Sequence, residues 1–377
     1  MKKPFQSFNY DIRVLTPVHI GAAKENEYVR GQDYFYDSYY YFINKSLFYK
    51  SLSAQSVAEY SNALIGNNVK RAEEILIKTV DEANTDIISI ENNEPVGLLN
   101  PTVEIADTIK KHICDGFGHL MIPGSTLKGA LRSMIANFLI KGNPDKYIGD
   151  RDDRNLINDC FGGINGNMMR FLQVGDVSFD QKFGQLAAYK IFSGDTLRTD
   201  TEGKWKNNRV GGHDEAFNTK GFVSYAETIA AGSSSKLRIN WGDETLKIAA
   251  KKQVNTPVLN QFFGHGWMEI ARKQMNDYLD QEIHFFETFK NDDFDDAVEL
   301  LERLKDKNQQ ENSVVMRIGA GSGYHAITGN WKFNDHTRTG DNPRTPGQID
   351  KKTRKVTFDK KLSKQFPGFI EVTAQGK

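Results

Sequence analysis

The stretch "FNYDIRVLTPVHIG" alternates Phe8, Tyr10, Ile12 and Val14 with Asn9, Asp11 and Arg13. A period of two predicts a half-buried strand, and Pro17 and Gly21 mark its exit. "DYFYDSYYYFINKSLFYKSL" reads as an aromatic-rich hairpin with Asp37 and Ser38 at its turn. From Ser56 to Asn84 the apolar spacing becomes helical and breaks at Gly66-Asn67-Asn68, which predicts two short inserted helices.

Leu127, Leu131, Met134, Ile135, Phe138 and Leu139 then form the apolar stripe of an amphipathic helix. Strand-like "MRFLQVGDVSFD" and "QLAAYKIFS" follow, and the aperiodic tract from Gly194 to Gly221 reads as a long loop. "GFVSYAETIAAGSSSKLRINWG" predicts a second hairpin around Gly232 to Ser235. Two helices follow, over "HGWMEIARKQMNDYLDQEIHFFETF" and "DDFDDAVELLERLKDK", and "SVVMRIGAGSGYHAITG" predicts a strand running into a glycine loop. This order suits an α+β fold, with two ferredoxin-like domains carrying helical and loop insertions, better than a doubly wound parallel sheet. The expected division is 1–180, with a helical insertion at about 50–118, and 181–377, with a helical segment at about 266–308 and the glycine loop at 319–323.

At 377 residues, with 38% apolar and 26% charged residues, the chain is long enough for two folded domains. Forty-nine basic and forty-nine acidic residues cancel, so net charge argues neither for nor against nucleic acid. The distribution is uneven: Asp280 to Glu311 holds eleven acidic residues against four basic, and Trp331 to Lys377 eleven basic against five acidic. A solvated acidic helix and a basic tail explain either run alone. Cys114 and Cys160 make neither a disulfide framework nor a zinc site, and no apolar run suggests a signal peptide or a membrane span. A cytoplasmic location is expected.

"MIPGSTLKGALRSMIANFL" places a turn before the amphipathic helix. Ser125 or Thr126 is the expected N-cap, and Lys128 and Arg132, four apart, share the polar face. First-turn N–H groups, the helix dipole and Lys128 favour an anion, while Gly124 and Gly129 leave room for close approach. A capped helix with two solvated basic residues explains the stretch equally well. It is not a Walker loop, because Lys128 precedes Gly129 and no hydroxyl follows. "RIGAGSGYH" fails as a dinucleotide motif, since Tyr324 stands where the third glycine belongs. Gly319, Gly321, Ser322, Gly323, Tyr324 and His325 beside a basic tail suit following a phosphodiester backbone and stacking a base. A tight turn after a strand is the plain alternative. None of the eight histidines has metal-ligand spacing, no nucleophile signature is present, and no cofactor is expected.

Together, "LTPVHIGAAKENEYVRGQDYFYD", "IPGSTLKGALRSMI", "MRFLQVGDVSFD" and "RIGAGSGYHAIT" resemble the landmarks of RAMP proteins, the ferredoxin-like RNA-binding subunits of CRISPR effector complexes. The resemblance is most specific to the type III-A (Csm) subunit at the crRNA 3′ end. It implies a modified RNA-recognition fold that binds crRNA, meets target RNA and packs against other RAMP subunits. Ser125, Thr126, Lys128, Gly129 and Arg132 would hold the sugar-phosphate backbone, with His19, Gly21 and the loop from Gly319 to Gly323 along the same track. Repeating RAMP subunits cut target RNA with an aspartate in the loop after the first strand. Asp33 is the nearest candidate here, at the start of an apparent strand and in a subunit type not regarded as the cutter, so it reads as structural. The rival readings are a metal-independent endoribonuclease using His325, Tyr324 and Lys332, and a phosphate-binding metabolic enzyme using the Ser125 turn.

Overall fold

A computed structural model of the protein describes residues 5–22, 26–37, 39–83, 106–143, 159–163, 167–194, 203–209, 212–219, 221–242, 260–262, 264–289, 291–323, 325–326, 353–358 and 363–375. Its architecture mixes helices with two principal sheets. In the first sheet, β1 (Gln6–Val14) lies between β13 (Ser234–Trp241) and β17 (Phe369–Ala374). Beyond these run β7 (Leu172–Val174) and β14 (Ser313–Arg317), giving the order β14-β17-β1-β13-β7. Tyr10, Ile12 and Val14 are buried while Asn9, Asp11 and Arg13 are exposed, as the alternation requires.

Helices α4 (Gly124–Gly142) and α5 (Gly266–Thr288) pack together over this sheet. Leu127, Leu131, Ile135 and Ile140 of α4 join Ile12, Ile239, Trp267, Val314 and Val372 in the largest core. The run β1-α4-β7-β13-α5-β14 is a β-α-β-β-α-β succession with β17 inserted between its first and last strands. It crosses residue 180, where the sequence reading divides the chain.

The second sheet has β9 (Gly184–Gly194) at its centre, flanked by β12 (Ser224–Ile229), β10 (Gly203–Lys206) and β15 (Thr353–Phe358). β11 (His213–Asp214), β16 (Lys364–Gln365), β5 (Thr108–Lys110) and β2 (Glu27–Val29) extend it. Two small pairs, β3 (Tyr34–Asp37) with β4 (Tyr39–Phe42) and β6 (Leu120–Ile122) with β8 (Val177–Phe179), complete the strands. Helix α6 (Asp295–Lys307) packs on α5, where Leu301 and Leu304 meet Phe285, Phe286 and Val356 in a second core.

The 3,4 hairpin and the helix break are as expected, with α2 (Ala54–Ile65) and α3 (Val69–Ala83) meeting at Gly66. Four expectations are corrected. "KSLFYKS" is helix α1 (Lys45–Ser51), not strand, because Asn44 accepts from the Leu47 N–H and Phe48 is buried. The tract expected to be a loop carries β10 and β11, anchored by Trp205, which is fully buried and stacks on Phe294 at 5.0 Å.

The expected second hairpin is not one. β12 belongs to the second sheet and β13 to the first, and Gly232 (φ +91°) turns the chain between them. There the Gly232 N–H donates to the Val14 carbonyl, and the Val14 N–H to that of Ser233, both at 2.8 Å. The basic C-terminal tract, finally, supplies three strands, one of them central to the first sheet.

Candidate nucleic-acid interface

Past β14 the backbone enters the left-handed region at Gly319 (φ +77°), Gly321 (+94°) and Gly323 (+86°). A Cβ at Gly319 would stand 2.5 Å from the His19 carbonyl oxygen. Its absence lets the Ala320 N–H donate to that oxygen at 2.8 Å, so the glycine loop is fixed against the exit of β1. Ser322 is buried and donates to the Gly319 carbonyl at 2.6 Å, which closes the loop from inside.

Beneath the loop Arg317 is buried, donating to the carbonyls of Pro367 (3.1 Å) and Gly321 (3.3 Å) and to the Tyr278 hydroxyl (2.6 Å). It lies 3.5 Å from Glu282, which Arg354 grips through two 2.8 Å bonds. Burial pushes the Glu282 carboxyl up, but the two guanidinium charges outweigh it and hold it below the usual range. His325 is buried behind the loop within the field of that carboxylate. Tyr324 and Lys332 lie outside the described residues.

His19 is buried, and its Nδ1 donates to the Glu227 carbonyl at 2.7 Å. His112 stands 5.9 Å away ring to ring, accepting from the Ile20 N–H at Nδ1 (3.2 Å) and donating from Nε2 to the Met121 carbonyl (2.9 Å). These bonds assign each ring one neutral tautomer. Burial drives both pKa values down to about 4, with Lys110 and Lys355 adding to the effect at His19. Near neutral pH His19 is therefore an uncharged positioning group. Gly21 lies beside this ring, where a Cβ would make an ordinary contact with Nε2 at 3.6 Å. The line from the glycine loop through His19 and His112 reaches Met121 and, along β6, the start of α4. Sequence reasoning missed His112, because nothing in its own segment marks it.

Helix α4 begins at Gly124, not after Ser125: Pro123 is the N-cap and no side chain caps the helix. The Gly124 N–H donates to Asp176 Oδ1 at 2.6 Å, and the Pro123 carbonyl accepts from Thr126 at 2.9 Å. A protein carboxylate thus already occupies part of the expected anion site. Ser125 and Gly129 are exposed, and Thr126 is half-buried in the first turn. Lys128 is half-buried and donates to the Leu172 carbonyl at 2.7 Å, and burial lowers its pKa. Arg132 lies 5.3 Å over the Phe161 ring.

Asp33 is buried, accepting from the Val29 N–H at 2.8 Å and pairing with Lys45 (2.7 Å) and Lys111 (3.9 Å). Its oxygens close a turn and neutralise two lysines. Among the described residues no three His, Cys, Asp or Glu side chains gather as metal ligands.

On the second sheet, beside the loop, His19, Lys110, Tyr189, Ser224, Ala320 and Lys355 line a small pocket. Ala320 ties it to the glycine loop, and a Cβ on Gly321 would meet Lys355 Cδ at 3.6 Å. None of Lys110, Tyr189 and Lys355 stands in a recognisable motif.

The chain belongs to the RAMP superfamily, whose profile matches residues 11–376. Among curated relatives, the CRISPR system Cms protein Csm5 of Streptococcus thermophilus is 27% identical over 176 residues, 42% of this chain and 47% of that protein. The aligned part thus spans about half the length of that relative. Among solved structures, a chain of the cryo-EM structure of a Csm-crRNA-target RNA ternary complex in a type III-A CRISPR-Cas system superposes with TM-score 0.64 at 17% identity, covering 98% of this chain and 100% of that one. The crystal structure of T.onnurineus Csm5 gives TM-score 0.61 at 16% identity, covering 96% and 99%. No helix among the described residues is long and apolar enough to cross a membrane.

Proposed function

We propose that the chain is a non-catalytic crRNA-binding subunit of a type III-A CRISPR-Cas (Csm) ribonucleoprotein in the cytoplasm, capping the complex at the crRNA 3′ end. Other RAMP subunits adjoin it, and the cuts in target RNA are made by those neighbours. The observation that carries this reading is the glycine loop sealed onto the His19 carbonyl, with Lys110 and Lys355 in the pocket beside it. Such a surface holds sugar-phosphate and offers no nuclease chemistry. The likeness to Csm5 over 176 residues and to a chain of a crRNA-bound complex supports the assignment.

In the same reading the two sheets are the centres of two ferredoxin-like units that exchange strands. The basic residues at the start of α4, Lys128 and Arg132, continue the track. The endoribonuclease alternative needs an accessible His325, and that ring is buried.

The test is to purify a tagged copy from cells expressing the complex and map nuclease protection of the bound guide RNA. The 3′ portion should be protected with this chain present and shortened in complexes assembled without it. Equal protection in both preparations would remove the 3′-end assignment.

A further inference from the structure

We propose that the face of the second sheet beside the glycine loop is a seat for one RNA phosphate, held by Lys110, Lys355 and the hydroxyl group of Tyr189. This seat rests on the RNA-binding reading above.

The register of the sheet brings these residues together from positions far apart in the chain. Tyr189 pairs directly with Ser224 on β12 and with Thr357 on β15, and Lys355 pairs with Ile191, two residues along β9. Ala226 pairs with Ala187 on one side and Lys110 on the other. Directly paired residues share a face and so do residues two apart, which sets Lys110, Tyr189, Lys355 and Thr357 on one face. The opposite face, with Ala188, Phe192, Val356 and Phe358, packs into the cores.

Three observations point to an anion. First, neither Lys110 nor Lys355 makes an ion pair among the described residues; Glu27, opposite Lys110 on β2, makes none with it. Second, Lys355 is held below the usual lysine range by burial and by the like charge of Lys110, a strain that an anion would relieve. Third, the hydroxyl of Tyr189, which lines the pocket, is buried without a hydrogen-bond partner. A buried orphaned hydroxyl is uncommon in a folded protein and calls for an acceptor. A phosphate supplies both the charge and the acceptor oxygens. The small pocket brings His19, Lys110, Tyr189 and Lys355 together. Ala320 on its rim places it against the glycine loop, so a strand following the loop would present a phosphate there.

The experiment titrates the full-length chain against a single-stranded RNA oligonucleotide across a salt series, comparing wild type, Tyr189→Phe and the double variant Lys110→Gln/Lys355→Gln. The double variant should bind about ten-fold more weakly at low salt, and its slope of log K against log salt should fall by about 0.7, one phosphate's share for a single strand. Tyr189→Phe should weaken binding several-fold without changing the slope, while the melting temperature of the free protein holds or rises, because it removes an orphaned hydroxyl. A merely structural tyrosine would not lower RNA affinity while leaving the fold as stable. Oligonucleotides ending in 3′-hydroxyl or 3′-phosphate identify the source. Equal losses mark an internal phosphodiester, and a loss confined to the phosphorylated end marks a terminal group. Wild-type binding with both variants unchanged in affinity and slope overturns the seat and leaves the RNA-binding reading standing. If the wild type binds no RNA, alone or in the complex, both fall.

Discussion

At residue 124 one methyl group decides whether α4 can take its place. A Cβ there would stand 2.1 Å from the Val174 carbonyl oxygen, with backbone on both sides of the clash. Gly124→Ala should therefore cost about 1–3 kcal/mol, read as a lower urea midpoint at unchanged m-value. Asp33 poses the opposite question, whether an acidic side chain is chemistry or structure. Its oxygens are committed to the Val29 N–H and to Lys45 and Lys111, so Asp33→Ala should lower stability by about 1.5–3 kcal/mol. Target-RNA cleavage by the assembled complex should stay the same in site and number. Loss of one discrete product with assembly intact would make this chain a cutter.

At the scale of elements, His112 joins the exit of β1 to β6 through the Ile20 N–H and the Met121 carbonyl, accepting from Ile20 only while its ring is neutral, and His19 packs against it. Each titrates near 4 in the fold against about 6.5 in the unfolded chain, because burial penalises the cation. The unfolded state therefore binds more protons between those values. Stability is complete above about pH 6.5 and declines as pH falls toward 4, by up to roughly 3 kcal/mol for each ring. Urea midpoints measured from pH 7.5 to 4.5 should show the decline, and His112→Asn should make it shallower, leaving the share of His19. A profile that is flat in the wild type would mean the rings are solvated.

The same scale shows what the sequence could and could not tell. Alternation in β1, the break at Gly66 and the glycine loop were legible, because each is a local pattern with one dominant explanation. The partners of β12 and β13 were not, because periodicity specifies which face of a strand is buried and not which sheet it enters. The strand character of "TRKVTF" and "FIEVTA" was available in their β-branched alternation but was masked by the charge of the surrounding tail. The TPVHIG and glycine-loop motifs lie together in space, since the Ala320 N–H meets the His19 carbonyl. Lys110, Tyr189 and Lys355 meet only through cross-strand register, which no motif spans.

Among the described residues, the acidic run meets the C-terminal strands of the basic tail. Glu282 pairs with Arg354 and Asp293 with Lys364, so opposite excesses more than fifty residues apart in sequence are joined, while Lys307 of α6 pairs in the reverse sense with Glu371 of β17. The buried set Arg317, Glu282 and Arg354 is the centre of this join, and through the Gly321 carbonyl Arg317 also steadies the glycine loop. Removing one partner strands the others: Glu282→Ala should cost about 3–5 kcal/mol, since two buried guanidinium groups lose their counter-charge. Replacing the whole set with apolar residues of similar size, Arg317→Met, Glu282→Leu and Arg354→Met together, removes that penalty and should restore most of the stability. It would not restore the hold on Gly321. The triple variant should therefore unfold at nearly the wild-type urea midpoint yet bind RNA more weakly and exchange the Ala320 amide proton faster. Wild-type affinity in a stable triple variant would mean the charged set serves the fold alone and the loop needs no support from below.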